Sequence, residues 1–277
     1  MAGISANMLP TLLIALFTLL WPGNGVAQEK PVSLRDSVRV TWLERSGPRF
    51  TVYYTAADSN FIPQLQSWLN TGSVEVESFL PARFQSKFGV YVFPDRATLD
   101  KQWAADWGVP GFASQCWMVA SGVAHRLDLL TPWVWKSAAC EHDPADSTAT
   151  RLLLVHELVH VFHGQHNPIP DFTGLDSIGW FLEGLAVLVS GQLDSARQAD
   201  AMQLVNAGKT PAELRLFWSG NARYAISGSL VAFIHRQYGP EQFARLLPAT
   251  TQGEILKILG TTEKELIQNW AASLAEL

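Results

Sequence analysis

Two histidines and a glutamate stand closest to chemistry in this chain, in His156-Glu157-Leu158-Val159-His160. On an α-helix, residues i and i+4 share one face, so the two imidazoles can converge on one Zn²⁺ at about 2.0–2.1 Å each. Such an ion lowers the pKa of a water beside it toward about 7. Glu157 projects next to the pair, placed to take that water's proton while the oxygen attacks a carbonyl. The chain holds 7 His and 13 Glu, and shuffling such a composition gives HExxH in roughly 1% of cases. The flanks are apolar (LLLVHELVHVF), and two imidazoles and a carboxylate in such a helix cost free energy unless something pairs them. The rival reading is a buried helix whose histidines are satisfied by hydrogen bonds alone.

A catalytic zinc site usually takes three protein ligands and a water. Two residues compete for the third place. His166 lies ten residues after His156, the offset metzincins use. Their pattern has a glycine at the seventh position, where this chain has His163, with Gly164 one place late. No Met-turn follows, since Met202 falls in an expected helix. The other candidate is Glu183, in Trp180-Phe181-Leu182-Glu183-Gly184-Leu185-Ala186, on the next helix. Gly184 and Ala186 are small and would let that helix approach the His156 helix closely.

HELVH followed by WFLEGLA resembles the gluzincin metallopeptidases, most closely the bacterial peptidase MA-like proteins, with their HExxH and W-x-x-E-G-x-A helices. The stretches RFTVYYT and KFGVYVFPDR resemble that family's opening β-α-β. Tyr224 to Gly228, ending at Tyr238-Gly239, resembles its next helix, and LKILGTTEKELIQNW its closing one. The likeness covers most of residues 45–275. It implies a zincin-like fold and one Zn²⁺ per chain, held by His156, His160 and Glu183, with Glu157 as general base. It also matches Tyr224 to a tyrosine that aminopeptidase N-like gluzincins use to stabilise an oxyanion, a sound role for a phenol at about 3 Å. An ordinary helix-start aromatic remains the alternative for Tyr224. Leu182 stands where many gluzincins carry Asn, and Val187 where some carry a carboxylate that orients a ligand histidine. No orienting side chain is visible in the sequence. An inactive zinc-binding relative, acting as a binding module, is therefore the alternative to a peptidase. No G-x-M-E-N string occurs to hold a free amine, so endopeptidase action is favoured over aminopeptidase action.

These residues need a framework. Of 277 residues, 48% are hydrophobic and 16% charged, with 20 Lys+Arg against 25 Asp+Glu and a net charge of −5. A diffuse acidic balance favours solubility, and without a basic run nucleic acid is excluded as a partner. Eleven Trp and fourteen Phe argue for a packed core. Strands are expected at Arg49–Thr55, at Lys87–Phe93 and within Ser121–Leu130, with helices over about 60–79 and 96–106. A long apolar helix is expected over Thr148–His163, N-capped by Asp146 or Ser147 and closed by Gly164. Another runs over Ser177–Ser190, closed by Gly191. Further helices are expected near 196–206, 222–237, 240–247 and 262–275. The fold class is α+β, an N-terminal mixed α/β half with a small sheet packed against a mainly helical C-terminal half. The expected divisions are 1–27, 28–145 and 146–277.

Residues 1–27 carry no Lys, Arg, Asp or Glu, and Met8–Trp21 is a mostly apolar run of 14 residues. A bilayer core takes about 20, so a stable span is not expected. Gly25 and Ala27 suit signal peptidase, leaving Gln28 first in a secreted or periplasmic protein; an uncleaved anchor is the alternative. Export would allow a Cys116–Cys140 disulfide, contributing about 3 kcal/mol, against two buried free thiols. Glu141, His142, Asp143 and Asp146 read as a solvated loop, and Trp117, Trp133 and Trp135 as core or cleft wall. The strand near Gly122–Leu130 is expected at a sheet edge, aligning an extended peptide or protein substrate. Metal analysis separates the two third ligands. Glu183→Ala should lose zinc and His166→Ala keep it; the reverse would point to a metzincin arrangement.

Overall fold

Alternating β-forming residues build a sheet in the first half, and the computed structural model describes it within residues 40–275. The expected signal peptide lies outside the described residues. Strands β1 (Leu43–Ser46), β2 (Phe50–Tyr54), β3 (Phe88–Phe93), β4 (Ala120–Val123) and β5 (Arg126–Leu130) form one sheet in the order β1-β2-β3-β5-β4. The β2, β3 and β5 strands run parallel, and both outer strands are antiparallel to their neighbours. Val52, Val90 and Leu127 fall opposite one another and are fully buried. The stretch 121–130 is thus a hairpin rather than one strand. Its turn at Ala124-His125 lacks the Asn-Gly or Asp-Gly that normally announces such a reversal. Of the two hairpin strands, β4 lies at a sheet edge and β5 is interior.

Helices α1 (Ile62–Phe79), α2 (Arg96–Asp106) and α3 (Trp135–Ala138) accompany the sheet. The rest is helical: α4 (Ser147–His166), α5 (Gly179–Ser190), α6 (Ser195–Asn206), α7 (Arg223–Ala244), α8 (Gln252–Leu259) and α9 (Glu263–Ala275). The molecule is α+β, a mixed five-stranded sheet with helices followed by a mainly helical half. Two expected helices at 222–237 and 240–247 form the single α7, broken at Gly239 (φ 76°) before Pro240. The unforeseen α8 starts with a capping box, Thr251 and Glu254 each bonding the other's backbone.

Helix α4 is the axis. Asp146 caps it by accepting from Ala149 N, as expected. Every residue from Leu154 to Gly164 is buried, because α1, α5 and β4 pack around it. A helix enclosed on all sides is apolar all round, which is how LLLVHELVHVF reads. Close approach demands glycine on β4: a Cβ on Gly122 would lie 2.3 Å from the Glu157 carbonyl oxygen. Gly164 does not end the helix. It is helical, with Pro170 O 2.6 Å and Ala124 N 2.7 Å from where its Cβ would be. The end comes at Asn167, in extended conformation, whose amide donates to Leu247 O and Ala249 O. Gly191 closes α5 in the left-handed conformation (φ 80°), as expected.

Gly184 faces the other way from its expected partner. Its Cβ position is 2.5 Å from Ser227 O and 2.6 Å from a Val231 methyl, so the small residue admits α7, not α4. Cys116 and Cys140 are bonded, with Cα atoms 5.2 Å apart. The carbonyls of Gln115, Cys116, Met118 and Ala138 around that bridge all accept from the guanidinium of Arg96. Among the described residues, no helix is long and apolar enough to cross a membrane.

His163 belongs to this core. It is fully buried, meets Phe172 and Phe181 edge-on, and donates from Nε2 to Leu247 O at 3.0 Å. Burial pushes its pKa down to about 3. Below about pH 6.5 the unfolded chain takes up a proton that the folded chain refuses. Stability should therefore fall, by a slope approaching 1.4 kcal/mol per pH unit, as acid is added from about pH 6 toward 4. Urea unfolding across that window should show a slope smaller by about this amount in His163→Leu. An unchanged slope would show that His163 is not the titrating group.

Candidate metal centre

One turn of α4 separates His156 from His160, so both rings leave the same face of a buried helix. Their Nε2 atoms are 3.1 Å apart. Glu183, in the first half of α5, brings Oε2 to 3.3 Å from His156 Nε2 and 3.7 Å from His160 Nε2. A tetrahedral ion with bonds of about 2.0–2.1 Å spaces its ligands about 3.3 Å apart. The three donors therefore stand at the corners of a tetrahedral face. Two imidazoles and a carboxylate are a donor set that catalytic zinc sites use. Among the described residues this is the one His/Cys/Asp/Glu group assembled to hold a metal ion. His156 and His160 are 6% and 8% exposed and the Glu183 side chain 26%, which makes Glu183 the most open of the three.

An orienting residue is present after all, where the sequence showed none. His156 Nδ1–H donates to Gln192 Oε1 at 2.9 Å. A carbonyl oxygen only accepts, so the proton of neutral His156 sits on Nδ1 and the Nε2 lone pair points to Glu183 and His160. Gln192 is itself held, because the turn at Gly191 lets its N–H reach Val187 O at 3.1 Å. Its carbonyl accepts from Arg197 at 2.7 Å. Nothing in the sequence around Gln192 marks it, since the contact spans 36 positions and follows from where the α5 cap turns the chain.

The electrostatics favour a positive charge at this point. Burial works against a protonated His160, but the Glu183 carboxylate beside it outweighs burial and its pKa is raised. Burial likewise works against ionised Glu183, yet His160 and His156 hold its pKa far below the usual carboxylate range. Glu157, 6% exposed on the same turn, is shifted upward, chiefly by burial and against the pull of both histidines. Tyr224, second residue of α7, has its ring 6.5 Å from that of His156. Its pKa is pushed up to about 12, first by burial and then by the negative charge of Glu183, with Glu157 adding to it. The phenol therefore keeps its proton and shares the field of the same carboxylates.

The other sequence candidates fall elsewhere. His166 donates from Nδ1 to Phe162 O at 2.8 Å and stacks on the Phe162 ring, outside the ligand group. His142 donates to Trp117 O, and Asp143 accepts from Ala145 N in the loop before α4. Trp135 is core, whereas Trp133 is 60% exposed and lies outside the core. The arrangement is consistent with a zincin-like site. No protein-family model matches the chain, and no curated protein does.

Gln192 supplies a prediction. Gln192→Leu should keep the fold and weaken metal binding about 10–100-fold, read by competition with a chromophoric chelator. Equal affinity in both proteins would show that His156 is oriented without Gln192.

Proposed function

We propose that this chain is a zinc-dependent peptidase working outside the cytoplasm and cutting within a peptide chain rather than at a free N-terminus. The convergence of His156 Nε2, His160 Nε2 and Glu183 Oε2 within 3.1–3.7 Å, beside buried Glu157, carries this reading. Zinc bound there would supply Lewis acidity, polarising the carbonyl and acidifying a water.

The chain's own residues divide the remaining work. The raised pKa of Glu157 suits a carboxylate that takes a proton from the attacking water and returns it to the leaving nitrogen. Water and one amide become an acid and an amine, so the proton count closes. Protonated Tyr224 donates its O–H to the oxygen on which charge develops. Gln192 keeps His156 in the tautomer that presents Nε2. Edge strand β4, seated on α4 at Glu157 and His160, offers main-chain hydrogen bonds to an extended peptide. The Cys116–Cys140 bridge supports an oxidising compartment.

Glu157→Gln should bind one zinc per chain as the parent does and lose about 10²–10⁴-fold in hydrolysis of a peptide library. Undiminished cleavage would remove Glu157 from the mechanism. Tyr224→Phe should lower kcat by about 10²-fold with little change in KM. A loss confined to KM would make the tyrosine a binding residue instead.

A further inference from the structure

The first residue of α7, Arg223, is enclosed by three aromatic rings. Its guanidinium carbon lies 5.1 Å from the ring centre of Trp117 and 5.2 Å from those of Trp218 and Tyr224. Trp218 and Tyr224 meet edge-on at 4.8 Å, and Tyr224 in turn adjoins His156. Arg223 therefore bridges the segment leading into β4 and the start of α7, one residue before the tyrosine that adjoins His156.

This cation is satisfied only in part, with the Tyr224 side chain as its hydrogen-bonding neighbour. Its Nε is buried without a hydrogen-bond partner. Arg49, Arg126 and Arg151 each reach a carboxylate, whereas no carboxylate pairs with Arg223 among the described residues. Arg223 is half-buried, and a guanidinium drawn even partly out of water without a counter-charge bears a cost. The positive end of the α7 dipole adds to the cost, and ring faces offset only part of it. A planar anion that could accept two parallel N–H bonds would complete the site.

We infer that Arg223 is the substrate-recognition residue of this cleft and takes a carboxylate on the leaving-group side of the cut bond. The inference rests on the peptidase reading above and names its substrate class. Direction follows from the strand. Antiparallel pairing is the more stable kind, and a peptide antiparallel to β4 runs its C-terminal end toward the residues before Ala120, where Trp117 holds Arg223. The carboxylate is either the C-terminal one or that of an Asp or Glu side chain just after the bond.

The test uses zinc-loaded Glu157→Gln protein, so that binding is read without turnover. Three N-terminally labelled peptides share one uncharged core: one ends in a free carboxylate, one in an amide, and one in an amide with Glu after the target bond. Fluorescence anisotropy should show at least one carboxylate peptide binding about 10-fold or more tighter than the uncharged amide. A preference for the first assigns the C-terminal carboxylate, and for the third an acidic side chain. Arg223→Met, added to this protein, should erase the preference with zinc content unchanged, and Arg223→Lys should keep part of it. Equal binding of all three peptides, or a preference that survives Arg223→Met, overturns the inference. The unmodified enzyme separates the two readings. Cleavage of all three at equal rates keeps the peptidase and removes the carboxylate site. A binding preference without cleavage of any does the reverse.

Discussion

Two imidazole nitrogens and a carboxylate oxygen aimed at one point inside a protein repel one another unless a positive charge sits among them. The centre on α4 and α5 is built around that constraint. His160 is drawn toward protonation and Glu183 toward ionisation although burial works against both. Gln192 removes the alternative in which His156 turns a proton toward the centre.

Close packing holds the donors at that spacing. Glycine on β4 lets the strand lie against the carbonyl of Glu157, and glycine on α5 lets α7 press in from behind. Reciprocally, a Cβ on Gly228 of α7 would lie 2.6 Å from a Val187 methyl of α5. Side chains at these crossings would force the backbones apart. The donors would then leave the separation at which one ion spans them, since interiors at this density transmit displacement rather than absorb it.

Much of this was legible in order along the chain. HELVH implied its own geometry because i and i+4 are neighbours on any helix, and WFLEGLA supplied the third donor through its resemblance to gluzincins. The apolar surroundings of HELVH correctly implied burial, and the even cysteine count implied the bridge. What stayed hidden depends on where distant segments cross. Gln192 follows a helix stop with no pattern of its own, and the partner of Gly184 could not be told from its size. The β4–β5 reversal has no turn signature, and Gly164 reads as a terminator until the approach of Pro170 and Ala124 is seen. Helix α8 is different: Thr251-x-x-Glu254 is a start signal present in the sequence. The ring enclosure of Arg223 joins Trp117 to the stretch 218–224 across about a hundred positions, which no local spacing encodes.

The bridge from Cys116 to Cys140 is covalently next to Trp117, one wall of that enclosure. Thiols stay reduced in the cytosol and pair after export. The bridge adds a covalent tie to a loop that Arg96 already holds through its carbonyls. For an exported chain, as proposed above, sulfur oxidation would be the step that fixes this wall of the Arg223 enclosure.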